Sequence, residues 1–222
     1  NLISRIGDVP LGSGDPRPGK YFEVFNILFE LKEITRCLQI AEKITKGWEE
    51  KMYNIDPKAT CYIKILYHFY ENNKIDEYND VLNKLTYYSN TSEPVTVSTK
   101  FNIARVHLNN SEILFKRKNI NGALAIIRDV DSILSGISLD EYSQLKKRIL
   151  LLLFKNNQTD KALEIIRNYY DYLKRLQIKF SVFRMKQTFM VSHICFKYSE
   201  NDSANEYLEE AIKDYNKMEK NV

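Results

Sequence analysis

The chain has 222 residues, of which 44% are hydrophobic and 28% charged, and its net charge is +4. This composition is typical of a folded soluble protein with a sizeable core, and the mild positive charge is well short of a histone-like balance. Seven Gly and five Pro are few, and three of each fall between Pro10 and Gly19. The rest of the chain therefore has almost no helix breakers, which predicts an all-α protein.

The first half of the chain predicts four helices. A Gly- and Pro-rich loop over Asp8–Gly19 precedes a first helix from Tyr21. Thr35 is the predicted cap of a second helix, and Asp56 is the predicted N-cap of a third, with Pro57 as its first residue. After an Asn-rich break comes the fourth helix, which a polar loop over Ser89–Val95 is expected to end.

The second half predicts six more helices. A long fifth helix ends at a basic and Asn-containing break over 116–119, and Ser135-Gly136 closes the sixth. Ser138 is the predicted cap of the seventh helix, whose centre over Ile149–Phe154 is apolar on every side and therefore predicts burial between neighbours. The tenth helix starts at Asn201-Asp202.

One segment occurs twice. Gly-Ala-Leu-Ala-Ile-Ile-Arg over Gly122–Arg128 reappears 39 residues later as Lys-Ala-Leu-Glu-Ile-Ile-Arg over Lys161–Arg167. A repeat at this spacing indicates stacked helical hairpins. Extending the alignment along the chain gives five hairpins, whose second helices have equivalent positions at Cys37, Tyr78, Ala123, Ala162 and Tyr207, at intervals of 41, 45, 39 and 45 residues.

A polar turn followed by an Ala-Leu pair resembles the second helix of a tetratricopeptide-like (TPR-like) repeat, most clearly over residues 99–178. The intervals exceed the regular 34 residues, so the chain resembles the irregular, longer-helix members. The resemblance implies a right-handed α-solenoid of about five antiparallel hairpins. We expect an irregular segment over 1–19, a repeat domain over 20–216 and a polar tail over 217–222.

Such an array exposes a groove lined by first helices, which suits an extended peptide or a partner helix. The predicted partner-binding residues are polar and aromatic positions on the first helices: Tyr62, Tyr67, His68, Asn102, Arg105, Asn109, Lys146, Arg184, Gln187 and His193.

Sequence motifs for chemistry are weak. The stretch Gly14–Lys20 has the spacing of a phosphate-binding loop, but Tyr21 replaces the Mg²⁺-binding Ser or Thr and two prolines remove N–H donors. Its three His residues lie in separate helices, and its three Cys residues have no metal-binding spacing. We therefore expect buried free thiols, no cofactor, no metal and no enzymatic activity.

Basic clusters at 116–118, 146–148 and 174–175 could form an edge that attracts nucleic acid, although cations near helix C-termini also offset the helix dipole. The favoured function is a non-enzymatic scaffold that binds a protein or peptide within a larger cytoplasmic or nuclear complex. Two alternatives are a peptide-sensing domain of a transcriptional or signalling regulator and a nucleic-acid-associated subunit. No membrane span is expected, and the oligomeric state is left open.

Overall fold

A computed structural model describes residues 17–44, 56–91, 96–133, 137–176 and 181–219. Within these ranges the chain forms ten α-helices and no strand, which confirms the all-α prediction. The helices are α1 Arg17–Glu30, α2 Ile34–Lys43, α3 Pro57–Glu71, α4 Ile75–Thr91, α5 Val97–Lys116, α6 Ile120–Ile133, α7 Leu139–Lys155, α8 Thr159–Lys174, α9 Ser181–Lys197 and α10 Asn201–Glu219.

The chain divides into two compact units, Asn1–Ile137 and Ser138–Val222. In the first unit α1 packs on α2, α3 on α4 and α5 on α6, and α3 also contacts both α1 and α5. In the second unit α7 packs on α8 and α9 on α10, and α9 also contacts α7. Each consecutive pair is therefore a helical hairpin. The predicted domain limits at residues 19 and 216 stay a prediction.

Two of the predicted caps form because they depend only on local sequence. The Asp56 carboxylate accepts a hydrogen bond of 2.9 Å from the Ala59 N–H, next to Pro57 in the first turn of α3. Ser138 accepts from the Glu141 N–H, and the Glu141 side chain accepts from the Ser138 N–H, which completes a capping box.

Other predicted boundaries are wrong. The cap of α2 is Glu33 rather than Thr35, and it makes no side-chain capping bond. Helix α4 continues through Thr91, which places the start of the predicted loop over Ser89–Val95 inside the helix. Helix α1 begins at Arg17, because Pro18 in a first turn has no helical hydrogen bond to lose. Helix α10 ends at Glu219, and the polar tail over 217–222 stays a prediction. The predicted closure at Ser135-Gly136 lies outside the described residues.

All five hairpins share one type of turn. A non-glycine residue with positive φ follows each first helix: Lys32, Asn73, Lys118, Asn157 and Ser199, with φ between 55° and 64°. In the third hairpin the Lys118 N–H donates to the Phe115 carbonyl and the Asn119 N–H donates to the Leu114 carbonyl, both at 2.9 Å. This pair of bonds is a Schellman motif, which satisfies carbonyls that the helix end leaves open.

The turn residues also correct the alignment of the fifth hairpin. Their intervals are 41, 45, 39 and 42 residues, so the position equivalent to Ala123 is Ala204 and not Tyr207. Hydrogen bonds agree with this register. The Ser111 hydroxyl donates to the Ala123 carbonyl at 3.2 Å, and the Ser192 hydroxyl donates to the Ala204 carbonyl at 2.7 Å. Small residues at these positions let the two helices of a hairpin cross closely.

Burial follows the predicted helical pattern. In the first unit the core includes Phe25, Ile40, Leu66 and Leu85, which are fully buried. In the second unit the apolar run over Ile149–Phe154 is almost entirely buried, as its lack of a polar side predicts. The three cysteines are buried free thiols, as expected.

Candidate functional site

The best-developed surface of the first unit lies along the first helices of its three hairpins. We name it the first-helix face, formed by two residues each from α1, α3 and α5: Phe22, Asn26, Lys64, Tyr67, Phe101 and Arg105. These side chains are half-buried, except that of Arg105, which is exposed. They project from neighbouring helices onto one surface because α3 packs between α1 and α5.

Two cations on this face lie against aromatic rings. The Lys64 ammonium lies 5.8 Å from the Phe22 ring centroid, and it donates a hydrogen bond of 2.8 Å to the Asn26 side-chain oxygen. The Arg105 guanidinium lies 5.5 Å from the Tyr67 ring and 5.7 Å from the Phe101 ring. Each cation–π contact is worth about 0.5–1 kcal/mol at an exposed site. Both contacts hold a long side chain in place and leave its charge near the surface.

The structure brings together only part of the predicted partner-binding set. Tyr67 and Arg105 belong to the first-helix face, and Asn102 and His68 lie half-buried on the same helices. The His68 ring packs edge-on against Phe29, with 6.1 Å between ring centroids. Helical periodicity did not identify Phe22, Asn26, Lys64 and Phe101 as partner-binding residues. Each of them lies one helical turn from another residue of the first-helix face.

Three predicted residues lie in the interior instead. Tyr62 is 3% exposed, and Asn109 and Lys146 are 2% exposed. Burial raises the pKa of Tyr62 to about 12. The Lys146 ammonium lies 5.2 Å from the Tyr142 ring centroid. A side chain with so little accessible surface has no area to offer a partner, so these three take part in internal packing. The burial of Lys146 also removes one of the three cations of the basic cluster over 146–148 from the surface.

The remaining predicted residues belong to the second unit. Arg184 donates two hydrogen bonds, of 2.7 and 2.8 Å, to the carboxylate of Asp214, and this pairing raises the pKa of the arginine. Gln187 accepts hydrogen bonds from Ser143 and from Tyr169. These contacts join α9 to α10 and to α7 and α8, so both side chains connect helices. His193 is exposed on α9.

The described ranges contain no metal-binding cluster. No group of three or more His, Cys, Asp or Glu side chains there could hold a metal ion. Burial raises the pKa of the Cys37 and Cys195 thiols to about 11, and it raises that of Cys61 further. Thiols with such pKa values are poor nucleophiles at neutral pH. Residues 14–16 of the phosphate-loop-like stretch lie outside the described residues, and Lys20 at its end pairs with Glu23 at 3.2 Å.

The fold resembles that of two solved structures. The chain resembles a kinesin light chain-like protein of Podosopora anserina, described as having nearly identical TPR-like repeats, with a TM-score of 0.51 and 11% identity over 93% of this chain and 99% of that one. A single-substitution variant of that protein gives a TM-score of 0.50, also at 11% identity, over 92% and 97% of the two chains. The chain has a TPR-like helical-repeat fold. The resemblance read from the sequence is thereby confirmed.

At 11% identity, the likeness concerns the TPR-like fold alone. No family model matches the sequence, and no curated protein matches it either. TPR-like folds are generally scaffolds for protein–protein interaction and are typically non-enzymatic. Among the described helices, none combines the length and apolarity that crossing a bilayer requires.

Proposed function

We propose that the protein is a non-enzymatic scaffold that binds an acidic segment of a partner protein along the first-helix face. One observation carries this proposal: Lys64 and Arg105 are held against aromatic rings on neighbouring first helices. A carboxylate that reaches either cation forms a charge-assisted contact without the full entropy loss of ordering a free side chain. The adjacent rings supply apolar area beside the charges.

The residues suit a peptide better than a small molecule. The face extends over three helices, and its cations lie on α3 and α5, so a ligand that meets both must be extended. Neighbouring stacked hairpins present such continuous surfaces, and extended or helical partners bind them by repeated side-chain contacts. Of the predicted partner-binding residues, Tyr67 and Arg105 belong to this surface, and His68 and Asn102 lie half-buried on the same helices. Residence within a larger cytoplasmic or nuclear complex is part of the same proposal.

The test reverses the charge of the face and compares captured partners. The doubly substituted chain Lys64→Glu/Arg105→Glu serves as bait beside the unchanged chain, and quantitative mass spectrometry measures the proteins retained from native extract. A matched control, Arg36→Glu/Lys43→Glu, makes the same charge change on the exposed surface of α2. We expect at least one partner to be lost tenfold or more with the face variant only, because each charge-assisted contact contributes about 1–3 kcal/mol.

Two results would contradict the proposal. The first is equal capture of every partner by the face variant and the control, which would remove the face from binding. The second is salt-dependent binding of single-stranded RNA that the face variant alone loses, which would assign the same surface to nucleic acid. Circular dichroism of each bait checks that the helices are retained.

A further inference from the structure

The structure also exposes a stripe of side chains on α9. We name it the forward stripe: Val182, Lys186, Phe189, His193 and Phe196, which follow one another at helical spacings of three and four residues. Its three apolar members are 50%, 53% and 69% exposed. A row of large apolar residues at this spacing is a surface on which another helix can pack.

The repeat register shows which residues of the other hairpins are equivalent to those of the forward stripe. Counted back from the turn residue, Phe196 is three positions before Ser199, and the equivalent residues in the earlier hairpins are Phe29, Tyr70, Phe115 and Phe154. All five positions are therefore aromatic. Phe115 and Phe154 are 6% and 4% exposed, against 69% for Phe196.

At two of these positions the aromatic residue contacts the next hairpin of the same unit. Phe29 of α1 packs against His68 of α3, with 6.1 Å between ring centroids. Phe154 of α7 stacks on Tyr198, directly after α9, at 4.9 Å. The residue three positions before the turn thus points forward along the repeat, and in the fifth hairpin that forward contact is open.

Helix α1 exposes the matching half of the same contact. We name it the backward stripe: Lys20, Glu23, Ile27, Glu30 and Leu31, all of which are exposed. Ile27 lies five positions before its turn residue, the position of His68 in the second hairpin. Ile113, Leu152 and Ile194 occupy the same position in the other hairpins and are 2–6% exposed, whereas Ile27 is 58% exposed.

We propose that a second copy of this chain covers the forward stripe, with α9 of one copy packed against α1 of the next in the register that neighbouring hairpins use. In that register Ile27 of one copy lies against Phe196 of the other, as His68 lies against Phe29. The contact is heterologous, because each copy contributes a different surface, so it propagates from copy to copy.

The two stripes also bring one complementary polar pair together. Glu23 lies nine positions before its turn, like Lys64, and His193 lies six positions before its turn, like Asn26. Lys64 donates to Asn26 at 2.8 Å in the first unit, so the shared register places Glu23 opposite His193. A carboxylate opposite an imidazole can accept a hydrogen bond from the ring N–H, and such a matched polar pair favours a second copy over an unrelated apolar helix.

The first measurement is sedimentation velocity of the unchanged chain at increasing concentration. We expect the average mass to rise from the monomer value of 26.2 kDa as concentration increases. A mass that stays at 26.2 kDa up to about 1 mM would overturn the proposal and leave the stripe to a different partner.

Substitution of each stripe separately tests the head-to-tail arrangement. Phe196→Glu blocks the forward stripe and Ile27→Lys blocks the backward stripe, and each variant alone should remain monomeric. Mixed in equal amounts, they should form a dimer, because one contributes an intact α1 and the other an intact α9. Tyr87→Glu, at a 73% exposed aromatic residue of α4 outside both stripes, is the control and should associate like the unchanged chain.

Two outcomes would overturn the arrangement. If Ile27→Lys associates as well as the unchanged chain, α1 has no part in the contact. If the mixture of the two blocked variants stays monomeric, the stripes do not meet each other.

A charge exchange provides a second test with exposed polar residues only. His193→Glu and Glu23→Lys should each weaken association about tenfold, and the doubly substituted chain should recover it.

Discussion

The five positive-φ turns lead to a quantitative prediction about stability. Lys118 has a φ of 60°, in the left-handed region where a Cβ atom crowds the following carbonyl oxygen. That conformation costs an L-residue about 1–2 kcal/mol, and glycine adopts it without this cost. Glycine loses about 0.5–1 kcal/mol more conformational free energy on folding. We therefore expect Lys118→Gly to increase the free energy of unfolding by about 0.5–1 kcal/mol.

The assay is urea denaturation followed by far-UV circular dichroism, with thermal unfolding as a second probe. In a chain of this size, the expected gain raises Tm by about 1–4 °C. Lys32 occupies the equivalent turn in the first hairpin with a φ of 59°. The two turns belong to different hairpins, so Lys32→Gly should give a similar gain, and the doubly substituted chain should show about the sum.

The matched control is Lys118→Ala, which removes the same charge and retains the Cβ atom. Lys118 follows Lys116 and Arg117, so charge removal by itself relieves some repulsion. If Lys118→Ala stabilises the protein as much as Lys118→Gly does, the gain comes from charge and the backbone argument is refuted. A lower free energy of unfolding for Lys118→Gly would also refute the backbone argument.

Three further predictions concern buried side chains. Asp214→Asn should lower the free energy of unfolding by about 1–3 kcal/mol in a denaturant titration, because Arg184 then loses a bidentate charged partner in a mostly buried site; an unchanged midpoint would contradict this. Cys61 is fully buried with a raised pKa, so thiol labelling at neutral pH should proceed only through opening of the fold and should slow when the protein is stabilised; labelling as fast as that of a free thiol would contradict the burial. Burial raises the pKa of Tyr169 to about 12 in the folded state, above the value of about 10 expected when unfolded. Stability from this group is therefore complete below pH about 10 and lost between pH about 10 and 12, and Tyr169→Phe should make the loss measured in alkaline denaturation shallower.

Local sequence determined much of the fold. The paired Ala-Leu segments place second helices in register, and the Asp56 and Ser138 caps each bond to a residue three positions away. Interactions of this range depend on nearby residues only, so the sequence predicts them directly. The Thr35 cap did not form because the Schellman turn at Lys32 places the N-cap of α2 at Glu33, two residues before the threonine.

The candidate surfaces depended on neighbouring helices. Tyr62, Asn109 and Lys146 have the polar or aromatic character of groove residues, and only the packing of adjacent helices shows that they are buried. Lys64 is identified as a cation of the first-helix face only by its contacts with Phe22 and Asn26 of another helix.

The sequence by itself determined the all-α class, the five hairpins and two of their caps, because helical periodicity and capping act over a few residues. Only the tertiary structure decided which apolar residues are covered. Phe196 and Phe154 are the same residue type at the same repeat position, yet one is 69% exposed and the other 4%. The difference arises because burial requires a neighbouring segment, and within the second unit Phe154 stacks on Tyr198, which directly follows α9.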